Sequence, residues 1–194
     1  LDILKEKGVR GSFFPTGGCF SEPKYAEAVR RIVDEGHYLS HHSDAHLLLC
    51  EGGCDLVSRD SLMRDLESVE AKLRALGLEK EEFDWMIPPY ETYNQAYAEM
   101  YRDAGYRLLR PTPGFVTSSD WTSKGARNYK SVEMMIESLW KYEAERTLNG
   151  CLILTHPMSY PNRDPEDRMF VHLGEIIDGL VERGYTFGTM KDII

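Results

Sequence analysis

Short apolar runs alternate with longer segments of helical periodicity along this chain, and that alternation limits the folds open to it more than any other feature. The apolar runs occupy residues 9–14, 38–40, 83–87, 106–109, 151–155 and 185–188. The periodic segments occupy residues 25–34, 59–76, 94–104, 132–147 and 166–183. Runs of the first kind suit buried strands, and a 3.6-residue period suits helices packed over them. Ser58 and Ser131 stand where helix N-caps belong, and Gly36, Gly77, Gly105, Gly150 and Gly184 stand where helices should stop. The Gly-Tyr pairs at 105–106 and 184–185 read as helix exits into new strands. An α/β protein with parallel strands is expected. Six strands are fewer than a closed barrel takes, and the shortfall is at the front. Residues 1–7 already read as the back half of an amphipathic helix, with Leu1, Ile3 and Leu4 apolar, so the chain is expected to begin part-way through an element.

Size and charge narrow the function classes. The 194 residues suffice for one domain with a substantial core, and no repeat, low-complexity tract or linker divides them. A single domain over residues 1–194 is therefore expected. A formal net charge of −9 repels phosphate backbones and anionic lipid, which excludes nucleic acid and membrane surfaces as expected partners and leaves a neutral sugar polymer compatible. No apolar run approaches the roughly 20 residues of a membrane-spanning helix. Cys19, Cys50, Cys54 and Cys151 are too few and too scattered for a disulfide scaffold and leave the redox compartment undecided.

The densest chemistry lies at residues 36–46, which hold His37, His41, His42 and His46 directly after a predicted strand. On a helical turn the rings of His42 and His46 would share one face, about 5–6 Å apart at Cβ. That suits two imidazoles on one divalent cation, although the same spacing also occurs as plain surface. His37 and His41 read as structural.

The segment resembles the His-Ser/Thr-x-x-His metal motif of the NodB-homology polysaccharide deacetylases, carbohydrate esterase family 4, where a Gly-His pair like Gly36-His37 usually precedes it. Residues 1–14, ending Gly-Ser-Phe-Phe, resemble the family's helix and second strand, and Pro88-Pro89-Tyr90 resembles its third motif, Arg-Pro-Pro-Tyr-Gly. Asp120-Trp121 resembles the fourth motif and Leu154-Thr155-His156 the fifth, with the order kept over nearly the whole chain. The resemblance implies a distorted (β/α) barrel with parallel strands, incomplete because its N-terminal strand is absent. A partner, a second copy or further chain is then expected to cover the open edges at 9–14 and 151–155.

It further implies metal-dependent hydrolysis of N- or O-linked acetyl groups on a polysaccharide or oligosaccharide. His42 and His46 would hold a divalent metal, zinc first and cobalt, nickel or manganese as alternatives. The Tyr90 backbone N–H would stabilise the oxyanion, and His156 would be the general acid. Trp121 and Leu154 would form the wall that receives the acetyl methyl, with Pro89 and Glu91 beside the substrate. The family usually works outside the cytoplasm, so a periplasmic or secreted location is expected.

Three departures accompany the resemblance. The family's first motif, Thr-Phe-Asp-Asp, supplies the third metal ligand and the general base, and it is not in this sequence. The Arg that opens the third motif is Ile87, and the Gly that closes it is Glu91. These leave two other readings open. One is a catalytically impaired carbohydrate-binding protein, with sugar-stacking faces from Tyr90, Tyr93, Trp121, Tyr129 and Tyr160. The other is a structural zinc protein using His42, His46, Cys50 and Cys54, folded back at Gly52-Gly53, or the two cysteines joined as a disulfide.

Overall fold

In a computed structural model, which describes residues 1–157 and 163–193, the expected alternation takes shape as two compact units. The first comprises residues 1–110 and 187–194, the second residues 111–186.

In the first unit, α1 (Asp2–Glu6) leads to β1 (Ser12–Phe13), then to α2 (Gly17–Ser21), α3 (Ala26–Asp34) and β2 (Tyr38–Leu39). A hairpin, β3 (Cys50–Glu51) and β4 (Cys54–Asp55), precedes α4 (Arg59–Arg74). β5 (Trp85–Met86), α5 (Gln95–Asp103) and β6 (Arg107–Leu108) follow. β1 and β2 pair in parallel with Ser12 opposite Tyr38, and β5 and β6 pair in parallel with Trp85 opposite Arg107. Side chains bridge the seam between the two pairs. Trp85 N–H donates to the Tyr38 hydroxyl at 2.9 Å, and Ser40 Oγ donates to the Phe83 carbonyl at 3.0 Å. The expected α/β class with parallel strands is what forms.

Local chemistry explains the helices. Ser58 accepts from Ser61 N at 3.2 Å, capping α4, and Asn94 caps α5 by accepting from Tyr97 N at 3.1 Å. The buried apolar positions of α4, Leu62, Leu66, Val69 and Leu73, recur every three or four residues, and Leu62, Leu66 and Leu73 share one core cluster with Leu39, Phe83, Met86 and Tyr101. At the end of α5 Gly105 adopts φ +82°, so that Tyr106 N reaches the Tyr101 carbonyl at 2.9 Å and turns the chain into β6.

The second unit holds a 3-10 turn (Thr117–Trp121), α6 (Val132–Arg146) and α7 (Leu173–Glu182). Ser131 caps α6 by accepting from Met134 N at 3.3 Å. A Cβ at Gly179 would lie 3.1 Å from the Trp140 ring, so its absence lets α7 lie close to α6. The helix expected at 166–183 starts later, because Arg168 is extended (φ −96°, ψ 127°) between two 3-10 turns.

Two expected strands do not form among the described residues. A strand is defined by its ladder, and residues 152–155 bond only to Thr112 there: Leu152 accepts from Thr112 N at 3.0 Å and donates to Thr112 Oγ1 at 2.9 Å. At 185–188 the Tyr185 N–H is spent closing α7 on the Leu180 carbonyl at 3.1 Å. No helix among the described residues is long and apolar enough to cross a membrane.

Candidate active site

The loop after β2 carries the histidine pair, and it is not the helical turn that the spacing suggests. Ser43 and His46 both have positive φ, +64° and +53°. The bonds that would make a helix go elsewhere. The buried Asp65 carboxylate on α4 accepts from Asp44 N at 2.9 Å and from Ala45 N at 2.8 Å. Gly17 N donates to the carbonyls of Ser43 and Asp44, each at 3.1 Å, and Ser43 Oγ accepts from His46 N at 2.9 Å. Asp44 turns its own carboxylate to Ser68 Oγ at 2.8 Å and to Lys72.

The two rings meet nonetheless, with centroids 4.7 Å apart and planes at 60°. His42 Nδ1 lies 2.7 Å from the Ile87 carbonyl oxygen. A carbonyl can only accept, so Nδ1 carries the proton and the lone pair of the neutral ring sits on Nε2. This is the arrangement in which a histidine binds a metal. The pair therefore fits a divalent cation as two ligands. Among the described residues no group of three or more His, Cys, Asp or Glu side chains is placed to hold an ion.

His41 and His37 serve the fold, as expected. The buried His41 ring stands edge-on to Tyr106 at 4.9 Å, and its Nδ1 accepts from Ser43 N at 3.2 Å. Burial, with the Lys80 and His42 charges adding to it, pushes its pKa down to about 3. His37 accepts from Gly11 N at 3.0 Å, and burial lowers its pKa as well.

The structural zinc reading is overturned by the hairpin. Gly52 and Gly53 have φ +57° and +83°, as a two-residue turn of the hairpin kind requires. Cys50 faces Asp55 across the ladder and Cys54 faces Glu51, so the two cysteines point to opposite faces. Both are free thiols, which also removes the disulfide.

Residues 87–91 form the wall beside the pair. Ile87, Pro88 and Pro89 are buried, whereas Tyr90 is 57% exposed and packs its ring 4.5 Å from that of His46. Tyr90 and Glu91 both have positive φ, +56° and +52°. The half-buried Glu91 thus occupies backbone that favours Gly, which accounts for Gly at that place in the resembling motif. Glu91 N donates to the Pro88 carbonyl at 2.9 Å and Thr92 N to that of Pro89 at 3.3 Å. Among the described residues nothing accepts from the Tyr90 N–H.

In the second unit the turn Thr117–Trp121 presents Asp120 and Trp121. The buried Asp120 carboxylate accepts from His156 N at 2.6 Å and from His156 Nδ1 at 2.5 Å, which fixes both the backbone and the tautomer of that histidine. Asp120 entered the sequence reading only as part of a motif; its role as the partner of His156 is a structural finding. Trp121 is 49% exposed and Leu154 half-buried. Of the other candidate stacking residues, Tyr129 is tied by its hydroxyl to Asp167 at 2.6 Å and Tyr93 packs against the core. Tyr160 lies outside the described residues.

The model of the polysaccharide deacetylase family matches residues 1–109. An uncharacterized 30.6 kDa protein of Geobacillus stearothermophilus is 27% identical over 198 residues, covering 100% of this chain and 64% of its own length. Peptidoglycan-N-acetylmuramic acid deacetylase PdaA of Bacillus subtilis is 24% identical over 196 residues, with the same coverage of 100% and 64%. The chain thus spans 64% of the length of these curated relatives. The solved structure of PdaA, a family 4 carbohydrate esterase, superposes with a TM-score of 0.75 over 99% of this chain and 71% of that one. A family 4 pseudoenzyme from Bacillus anthracis, 19% identical, superposes with a TM-score of 0.67 over 99% of this chain and 58% of that one.

Proposed function

The chain belongs to the polysaccharide deacetylase family, and from that premise we propose that it serves the hydrolysis of acetyl groups from a polysaccharide or oligosaccharide, with His42 and His46 holding a divalent cation, zinc first. The observation that carries the reading is the ring pair itself, with His42 Nδ1 fixed on the Ile87 carbonyl at 2.7 Å so that Nε2 offers its lone pair. Held there, the cation supplies Lewis acidity toward an acyl oxygen and toward water. The Tyr90 N–H donates to the oxyanion as it develops. His156, oriented by Asp120 through Nδ1, gives a proton to the leaving amine or alcohol. Trp121 and Leu154 receive the methyl group, and Pro89 and Glu91 flank the sugar. By the resemblance, the general base and third ligand belong to the family's first motif, Thr-Phe-Asp-Asp, which is not among residues 1–194. That the family usually works outside the cytoplasm supports a periplasmic or secreted site of action as part of this proposal.

The test is acetate release from acetylated chitooligosaccharide, acetylated xylan and peptidoglycan with added zinc. It compares this chain, a version extended upstream, and His42→Ala in each. The extended form should turn over in a His42-dependent way, and this chain should release little or none, since general-base assistance alone is worth about 10²–10⁴ in rate. His42-dependent turnover by this chain would put the base within it, at Glu91, because Asp44 is already engaged by Lys72 and Ser68.

A second reading, sugar binding without turnover, is favoured by Ile87 in place of the motif's Arg and by the likeness to a pseudoenzyme. Retained binding of the same oligosaccharides with no acetate released by either length would establish it.

A further inference from the structure

We infer that Arg163 is a positioning residue for the Asp120–His156 pair; this rests on the general-acid reading of His156 proposed above. Arg163 is 3% exposed, and the donors of its guanidinium are all directed at oxygen. Nε donates to the Thr122 carbonyl at 3.0 Å. Nη2 donates to the Lys130 carbonyl at 2.8 Å, and at longer range to Thr122 Oγ1 (3.3 Å) and the Ser119 carbonyl (3.4 Å). Nη1 donates to the Asp167 carbonyl at 2.7 Å and to its carboxylate at 2.9 Å.

Those contacts bracket Asp120. The turn Thr117–Trp121 is a five-residue 3-10 segment, whose internal hydrogen bonds have poor geometry and hold it weakly. At its entrance Val116 N is anchored on Ser138 Oγ at 3.1 Å, and at its exit Arg163 takes the carbonyls on either side of Asp120–Trp121. Asp120 in turn grips His156 at backbone and ring. One turn therefore holds both His156 and Arg163, and the carboxylate can keep its two bonds to His156 only while the turn stays where Arg163 pins it. The charge of Arg163 is matched by Asp167, whose carboxylate also accepts from Tyr129 OH at 2.6 Å and from Val132 N at 2.7 Å. The turn is addressed through neutral carbonyls in several directions at once, which a planar fork can do and a single ammonium cannot.

The experiment is proton and nitrogen NMR of this chain with histidine rings labelled, following the Nδ1–H of His156 in its bond to Asp120. Its resonance is assigned by its loss in Asp120→Asn. In Arg163→Met, with amide dispersion elsewhere retained, the resonance should be lost as it is in Asp120→Asn. In Arg163→Lys it should shift and exchange faster with water. An unchanged resonance in Arg163→Met overturns the inference. Should that variant not fold, an unchanged shift and exchange rate in Arg163→Lys overturns it equally. The readout needs no turnover, so failure of the general-acid reading, seen as acetate release indifferent to His156→Gln in the extended chain, is a separate result.

Discussion

Replacing Asp65 by Ala tests whether the histidine loop is held from outside or holds itself. Asp65 sits on the buried face of α4, and its two oxygens accept the N–H groups of Asp44 and Ala45 at 2.9 and 2.8 Å. Ser43 and His46, on either side of those amides, occupy left-handed backbone, at about 1–2 kcal/mol each for non-glycine residues. The loop therefore carries roughly 2–4 kcal/mol of unfavourable conformation. Hydrogen bonds to a charged group contribute about 1.5–3 kcal/mol each, so the pair from Asp65 offsets that cost by itself. Alanine removes both bonds and leaves two amides without an acceptor, while its better helix propensity returns only a fraction of a kilocalorie per mole.

We expect Asp65→Ala to lower stability by about 3–5 kcal/mol, read from the urea midpoint at constant m value. Asp65→Asn keeps one acceptor oxygen but turns its NH₂ toward the other amide, so it should lose at least half as much. Zinc affinity measured by titration calorimetry should fall in both, because the ring pair depends on the loop conformation. A loss below about 1 kcal/mol with zinc affinity intact would refute the reasoning. Gly17 and Ser43 would then be sufficient to fix the loop.

Other perturbations follow from the same geometry. Gly17→Ala would place a Cβ 1.7 Å from Asp44 Oδ1 and 2.9 Å from Asp44 Cα, so a loss of more than about 2 kcal/mol is expected in the same denaturation assay. Glu91→Gly should stabilise the chain by roughly 0.5–1 kcal/mol by relieving its positive φ, and a destabilised variant would show that the carboxylate makes a compensating contact. The two structural histidines should make the protein acid-sensitive. His41 and His37 have native pKa values below the ordinary 6.5, in His41 about 3, so between pH 6.5 and 3 the unfolded chain takes up protons that the native state refuses. Stability is complete above pH 6.5 and falls as the pH drops, with His41 alone contributing a loss of about 2 kcal/mol at about pH 5. Urea midpoints unchanged between pH 7 and 5 would show that the rings are not buried neutral.

Helix ends were legible because they depend on near neighbours. Ser58, Ser131, Gly105 and Gly184 each act on residues within one turn and each caps or ends its helix as expected, although no strand follows Gly184 among the described residues. Strands were overcalled because an apolar run reports burial and not pairing. Residues 9–14 pair only at Ser12–Phe13, and residues 151–155 form no ladder among those described. At the site, the rings of His42 and His46 meet as their spacing suggests, but not on the helical turn that the spacing implies. Neither Ser43 nor His46 is a glycine, so nothing local announces the two left-handed residues that bring the rings together. Asp65 did leave a signal: it falls in phase with Leu62, Leu66, Val69 and Leu73, where a carboxylate has no place unless something pairs with it. Arg163 left none, since it lies in a polar stretch and its acceptors are mostly carbonyls more than thirty positions away.

The acidic composition takes on a second meaning once the site is resolved. A net charge of −9 describes how the surface meets anions, yet three consequential carboxylates are turned inward. Asp65 holds the amides of the histidine loop, Asp120 holds the backbone and ring of His156, and Asp167 matches Arg163 while accepting the Val132 N–H. Each uses both oxygens to bind a stretch of chain twenty or more positions from its own, so each joins parts that local propensity alone would not bring together. Asn preserves size but offers one acceptor oxygen and an NH₂ that faces the second donor. At these three positions the usual conservative exchange therefore removes one restraint and adds a repulsion. An unpaired Asp or Glu on the exposed faces of α4 or α6 should tolerate the same exchange within about 0.5 kcal/mol.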